Sequence, residues 1–213
     1  MVMNLRVENL CKRFTRNVLF RELTFDLSGG ESLAVVGPNG SGKSTLLQII
    51  AGLQQPTSGS VMYKEDDKVL PKEIRLLQIG FAAPYLNLYT LFSANENLQF
   101  IARARQLTNA TKRIERVLDR VGLGHVADEE VKTFSSGMLQ RLRVAAATLS
   151  DPELLVLDEP GTNLDKPGRE MVEGLITDYL EMGRGVIVAT NAETEADWCQ
   201  RTVSIPDFNP AIK

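Results

Sequence analysis

Leu33-Ala34-Val35-Val36-Gly37-Pro38-Asn39-Gly40-Ser41-Gly42-Lys43-Ser44 is the stretch on which the fold of this 213-residue chain turns. Its first four residues form a continuous apolar run, the pattern of a parallel strand covered on both faces. The next eight fit GxxxxGK(S/T), and helical spacing then runs from 44 to 51, with Gly52 placed to end it. In such a strand–turn–helix, glycines let successive backbone N–H groups turn inward on an anion, and the helix N-terminus adds its positive end. Lys43 would reach the β- and γ-phosphates of a nucleotide, the Ser44 hydroxyl would ligate Mg2+, and Thr45 offers a further hydroxyl. The full eight-residue spacing with both flanks in place separates this from an ordinary glycine-rich turn.

Outward from that loop, residues 5–8 and the alternating Leu23, Phe25 and Leu27 read as strands of a half-exposed antiparallel sheet. Residues 61–63 and 79–82 are further strands. From about 93 to 149 the pattern turns helical. Ser93 and Glu96 have capping-box spacing, and Ile114, Val117, Leu118 and Val121 repeat at i, i+3, i+4 and i+7 before Gly122. Strand character returns at 154–157 and 186–189. The helix between them carries Met171, Val172, Leu175, Ile176, Tyr179 and Leu180 on one stripe.

Composition narrows the function classes. Hydrophobic residues make up 43% and charged residues 24%, ordinary for one compact globular unit and unlike a disordered or fibrous chain. A net charge of −3 argues against broad binding to nucleic acid or anionic lipid, and no nucleic-acid partner is expected. Arg103, Arg105, Lys112, Arg113, Arg116 and Arg120 are interleaved with Glu115 and Asp119, which reads as a solvated face. Cys11 and Cys199 are far apart with no CxxC partner, and suit a reducing compartment. His125 is the sole histidine, so no mechanism needing two histidines fits one chain; it reads as a surface residue. No apolar run exceeds four residues, so no membrane span is expected, and MVMNLRVENLCKRF shows no secretory signal. The chain stops soon after its last core strand, so no appended regulatory domain is expected.

The run at 154–157 ends in Asp158-Glu159. Asp158 is placed to hold a metal, directly or through water, and Glu159 to polarise an attacking water. Acidic pairs also occur as plain solvated strand ends; beside the phosphate loop, the pair reads as functional.

Phe134-Ser135-Ser136-Gly137-Met138-Leu139-Gln140-Arg141 resembles the LSGGQ signature of ABC-type ATPases, and the resemblance covers roughly residues 3 to 205. Physically this is a serine-and-glycine turn at a helix N-terminus, a second anion site; alone, Ser135 or Ser136 would also serve as a simple N-cap. The resemblance implies an α/β P-loop NTPase core with a mixed sheet, an antiparallel β subdomain and an inserted α-helical subdomain. Core and β subdomain would occupy about 1–84 and 150–213, the helical subdomain about 85–149. It implies an ATPase that binds ATP and Mg2+ and dimerises head to tail with a second such subunit, identical or not. Each subunit would offer Ser135, Ser136 and Gly137 to the other's γ-phosphate. Its expected partner is an integral membrane transporter subunit, which would hold it on the cytoplasmic face of the membrane. Phe14 stands where the family stacks an aromatic on adenine, and reads equally as a core residue. Asn163-Leu164-Asp165 corresponds to the family's D-loop.

Three positions depart from the family. Pro84 aligns where a glutamine joins core and helical parts, and Gln78 lies too early to replace it. Asn191 stands where a histidine follows the last core strand; it can donate a hydrogen bond to a γ-phosphate or cap the next helix, but cannot shuttle a proton. Met138 replaces the last signature residue. Met138 is the milder change; the replacements at Pro84 and Asn191 would slow hydrolysis, and a weakly hydrolysing or regulatory ATP-binding partner in an asymmetric pair is the second reading. A DNA-repair or translation ATPase is the third, though this chain shows neither a heptad insertion nor zinc cysteines, and only one cassette.

Overall fold

The computed structural model describes residues 3–15, 17–66 and 68–209. Strands β1 (Met3–Phe14), β2 (Asn17–Leu27), β4 (Ser58–Glu65) and β5 (Lys68–Val69) form an antiparallel sheet of order β2-β1-β4-β5. Strands β3 (Ser32–Val36), β6 (Ile79–Ala82), β7 (Leu154–Asp158), β8 (Gly185–Thr190) and β9 (Arg201–Ser204) form a second sheet of order β6-β7-β8-β3-β9, every described pairing in it parallel. The two strand orientations are thus segregated into separate sheets. Every residue of β7 and β8 is buried, as continuous apolar runs require when both faces are covered.

Seven helices are described: α1 (Lys43–Ile50), α2 (Lys72–Leu77), α3 (Ala94–Ala104), α4 (Ala110–Arg120), α5 (Ser136–Thr148), α6 (Lys166–Glu181) and α7 (Glu193–Ala196). The alternation of the strands sorts their side chains into two cores. Leu155, Leu157, Val186 and Val188 pack with α3 to α6, while Leu154, Val156, Ile187 and Ala189 pack with α1 and the antiparallel sheet. The parallel sheet is therefore the common wall. Its carboxyl ends, at Val36, Asp158 and Thr190, carry the loops in which ligands of such sheets bind.

The expected capping box is present: Ser93 Oγ accepts from the Glu96 N–H at 3.1 Å and Glu96 returns the bond to the Ser93 N–H at 2.8 Å. The stripes on α4 and α6 are buried at Ile114, Val117 and Leu118 and at Val172, Leu175, Ile176 and Tyr179. α5 presses hard on β6: a Cβ on Gly80 would lie 2.2 Å from the Ala147 carbonyl oxygen. Only glycine allows that approach, and it fixes the direction in which α5 aims its N-terminus.

Candidate functional site

The loop between β3 and α1 is built on glycines in the left-handed half of backbone space, with φ of +79° at Gly40 and +109° at Gly42. A side chain on Gly42 would also strike Leu19 at 3.2 Å, so this backbone has little alternative but glycine. Ser41 Oγ is buried without a hydrogen-bond partner. Lys43 is 5% exposed, and its ammonium donates to the carbonyl oxygens of Gly37 at 2.8 Å and Pro38 at 3.3 Å. Glu159 Oε1 lies 3.9 Å from that ammonium. Asn39, Gly40, Gly42, Lys43, Ser44, Thr45 and Glu159 line one cleft. The loop and the second carboxylate, far apart in sequence, therefore face the same space.

Asp158 closes β7 and is buried, and neither carboxyl oxygen makes a hydrogen bond of ordinary geometry. Burial pushes its pKa up, and Glu159 adds to this; the nearby Ser44 hydroxyl and the Lys43 ammonium pull it down. An orphaned carboxylate beside a serine hydroxyl is a hard-oxygen pair that fits Mg2+, which takes one or two protein ligands and completes its shell with phosphate and water. The sign of the shift has a measurable consequence. An acid whose folded pKa is raised costs stability increasingly as pH climbs above about 4, its unfolded value, and the cost levels off only above its folded value. Asp158→Asn should therefore raise the melting temperature in EDTA at pH 7 by several degrees, about 1–2 kcal/mol, while losing the further rise that MgATP gives the wild type. A lower melting point in EDTA rules out this account.

Glu159 follows with φ at +48°, unusual for a residue with a side chain, and its N–H donates to the Ala189 carbonyl at 2.8 Å. This bend at the strand end brings Glu159 into the cleft while Asp158 stays buried beside Ser44 and Lys43, where a straight strand would have pointed the two carboxylates to opposite faces.

Ser135, Ser136 and Gly137 lie elsewhere, in a second cleft shared with His125, Arg141, Asn163 and Asp165. Ser135 is the N-cap of α5, its Oγ accepting from the Met138 N–H at 3.2 Å. The cap leaves the hydroxyl its own proton, free to donate to an anion. A Cβ on Gly137 would sit 3.0 Å from the Asn163 carbonyl oxygen, so the signature turn touches the segment matching the D-loop. Asp165 caps α6 through the Gly168 N–H at 3.0 Å and pairs with Arg141 at 2.9 Å; both bonds lower its pKa, the Gly168 bond more strongly. His125, read from sequence as a plain surface residue, is exposed and lines this cleft.

The Phe14 ring is 48% exposed rather than part of the core, with the Lys12 ammonium 4.8 Å from its centroid. Asn191 donates to the side-chain oxygen of Asn39 at 2.8 Å. It does not cap α7, whose N-cap is Ala192; the Thr190 hydroxyl takes the Ala192 N–H at 3.0 Å. Pro84 is exposed. The next residue, Tyr85, lies near enough to Gln48 and Asp158 for both to act on its phenol, whose pKa is raised chiefly by burial. Sequence reasoning missed Tyr85 and two buried polar residues. Gln140 donates to the carbonyls of Glu159 and Pro160, and Glu195 accepts from the Thr190 hydroxyl at 2.8 Å.

A family model described as ABC transporter matches residues 20–162. A linearmycin resistance ATP-binding protein of Bacillus subtilis strain 168 is 34% identical over 216 residues, covering 98% of this chain and 68% of that protein. A lipoprotein-releasing system ATP-binding protein of Idiomarina loihiensis is 36% identical over 192 residues, covering 86% of this chain and 84% of its own. Among solved structures, a dimeric post-hydrolysis state of an ATP-binding cassette bound to ADP and Pi matches with a TM-score of 0.84 and 26% identity, over 94% of this chain and 93% of that one. The chain thus spans about two thirds of the first relative's length.

Proposed function

This chain belongs to the ABC transporter family of ATP-binding proteins, and from that premise we propose that it binds and hydrolyses MgATP as one half of a head-to-tail dimer. The observation that carries the reading is the separation of the two anion sites. Lys43, Ser44 and Glu159 line one cleft, and Ser135, Ser136 and Gly137 line another. Neither cleft contains residues of the other, whereas two molecules packed head to tail would complete each other's sites. Sedimentation with Mg2+ and a non-cleavable ATP analogue tests this: a nucleotide-dependent doubling of mass is expected, and a chain that stays monomeric, alone and with its co-purifying proteins, defeats the proposal.

Within such a site the amides at the start of α1 and the Lys43 ammonium bind the β- and γ-phosphates, and Phe14 offers its exposed ring to adenine. Ser44 and Asp158 would hold Mg2+, which when bound neutralises charge on the phosphates. Glu159 accepts a hydrogen bond from the attacking water. The water oxygen bonds to the γ-phosphorus and gives up a proton to the Glu159 carboxylate as the bond to the β–γ bridging oxygen breaks, releasing ADP and phosphate. The Lys43 ammonium and the opposing Ser135–Gly137 donors stabilise the charge that spreads over the γ-oxygens.

The helical region 85–149 is proposed to meet a membrane-embedded transporter subunit, placing the chain on the inner face of the membrane. No described helix is long and apolar enough to cross a membrane itself. What supports a partner there is an exposed aromatic cluster. Tyr89 lies tilted against Phe92 at 5.3 Å and edge-on to Phe100 at 5.2 Å between centroids, with Leu91 72% exposed beside them.

Asn191 favours a second reading, a slow hydrolyser in an asymmetric pair. Its amide is exposed and bound to Asn39 of the phosphate loop, and neither it nor Pro84 supplies a titratable group at the γ-phosphate. Asn191→His should raise the ATPase rate several-fold; an unchanged or lower rate removes this residue as the limit on turnover.

A further inference from the structure

The peptide after Glu159 is held by the signature helix. Gln140, on α5, is 2% exposed, and its amide donates to the carbonyl oxygens of Pro160 at 3.2 Å and Glu159 at 3.4 Å. Its own oxygen accepts from the Arg143 guanidinium at 3.4 Å, and Arg143 Nε donates to the Leu86 carbonyl at 3.2 Å. Glu159 is therefore clamped on both sides, its N–H by β8 and its carbonyl by α5, while its φ is +48°. A side-chain-bearing residue in that region costs about 1–3 kcal/mol and persists only where its surroundings over-determine it. We propose that Gln140, braced by Arg143, is a positioning residue that keeps the Glu159 carboxylate aimed at the phosphate cleft. The proposal rests on the reading of Glu159 as the group that polarises water.

A buried glutamine that only satisfies backbone carbonyls would change stability and leave catalysis alone. A positioning residue changes kcat, because small misplacements of a reacting group are costly, and leaves nucleotide binding alone, because Gln140 does not line the phosphate cleft.

The test is steady-state ATP hydrolysis by the purified full chain with MgATP. Gln140→Met keeps the side-chain length and removes the hydrogen bonds; kcat should fall about tenfold with KM for ATP within about twofold. Arg143→Met should give a smaller drop of the same kind. The double variant should be no slower than Gln140→Met alone, because Arg143 acts through Gln140. A Gln140→Met protein with unchanged kcat, or with a loss residing in KM, overturns the proposal. If that variant fails to fold, Arg143→Met decides on the same kcat criterion. Glu159→Gln run in parallel separates the two levels. If it abolishes turnover while Gln140→Met does not slow it, only the positioning role falls; if it leaves turnover intact, the reading of Glu159 falls and the role with it.

Discussion

Lys43→Ala should weaken ATP binding by about a hundredfold or more, measured by titration calorimetry or a fluorescent ATP analogue, without unfolding the chain. The ammonium is 5% exposed and rests on the carbonyl oxygens of Gly37 and Pro38, with a Glu159 carboxyl oxygen 3.9 Å away. Within a cleft walled by backbone, a hydrogen-bonded charge facing a polyphosphate is screened far less than on an open surface. Losing one partner of such a pair costs about 2–5 kcal/mol, and each 1.4 kcal/mol is tenfold in affinity. The substitution also leaves Glu159 facing the incoming phosphates with its repulsion uncompensated, so the loss exceeds that of a single deleted contact. Circular dichroism should be unchanged, because the loop conformation is set by Gly40 and Gly42 rather than by the lysine. Retained tight binding would falsify the assignment of the loop.

That site was legible because it is local. Strand, turn and helix are contiguous from Ser32 to Ile50, so sequence spacing is very nearly geometry. The same holds for the Asp158-Glu159 strand end, for the Ser93 capping box and for the serine turn opening α5. What escaped is long-range or irregular. Asn191 pairs with Asn39 across 152 positions, and Gln140 with Pro160 across 20; no periodicity encodes such meetings. β1 and β2 run well beyond their expected lengths because bulges at Asn9 and Glu22, both with positive φ, break the alternation that would have revealed them. α2 is one short helix that buries no residue, leaving Ile74 and Leu77 exposed, and β9 is a half-exposed edge strand. His125 reads as surface from sequence because only the folded chain brings it to the rim of the signature cleft.

Glu159→Gln should leave ATP bound and nearly stop its hydrolysis, a fall of about 100- to 10 000-fold in kcat if this carboxylate acts on the water. The replacement keeps the size and the left-handed backbone, with its N–H still on the Ala189 carbonyl and its carbonyl still on Gln140. Only the charge goes. Two consequences follow from that single change. The amide is a poor proton acceptor, so the water loses its polarising partner and the barrier rises. At the same time a negative charge 3.9 Å from the Lys43 ammonium disappears from the mouth of the phosphate cleft, so the γ-phosphate meets less repulsion and ATP binds more tightly. A site that binds better and reacts slower must accumulate the closed, ATP-loaded form. Sedimentation of the variant with MgATP should show a stable species of twice the monomer mass, which ADP does not support. Turnover at the wild-type rate takes Glu159 out of the chemistry, and a variant that stops turning over yet remains monomeric with MgATP separates the carboxylate's role, which then stands, from the paired-molecule arrangement, which does not.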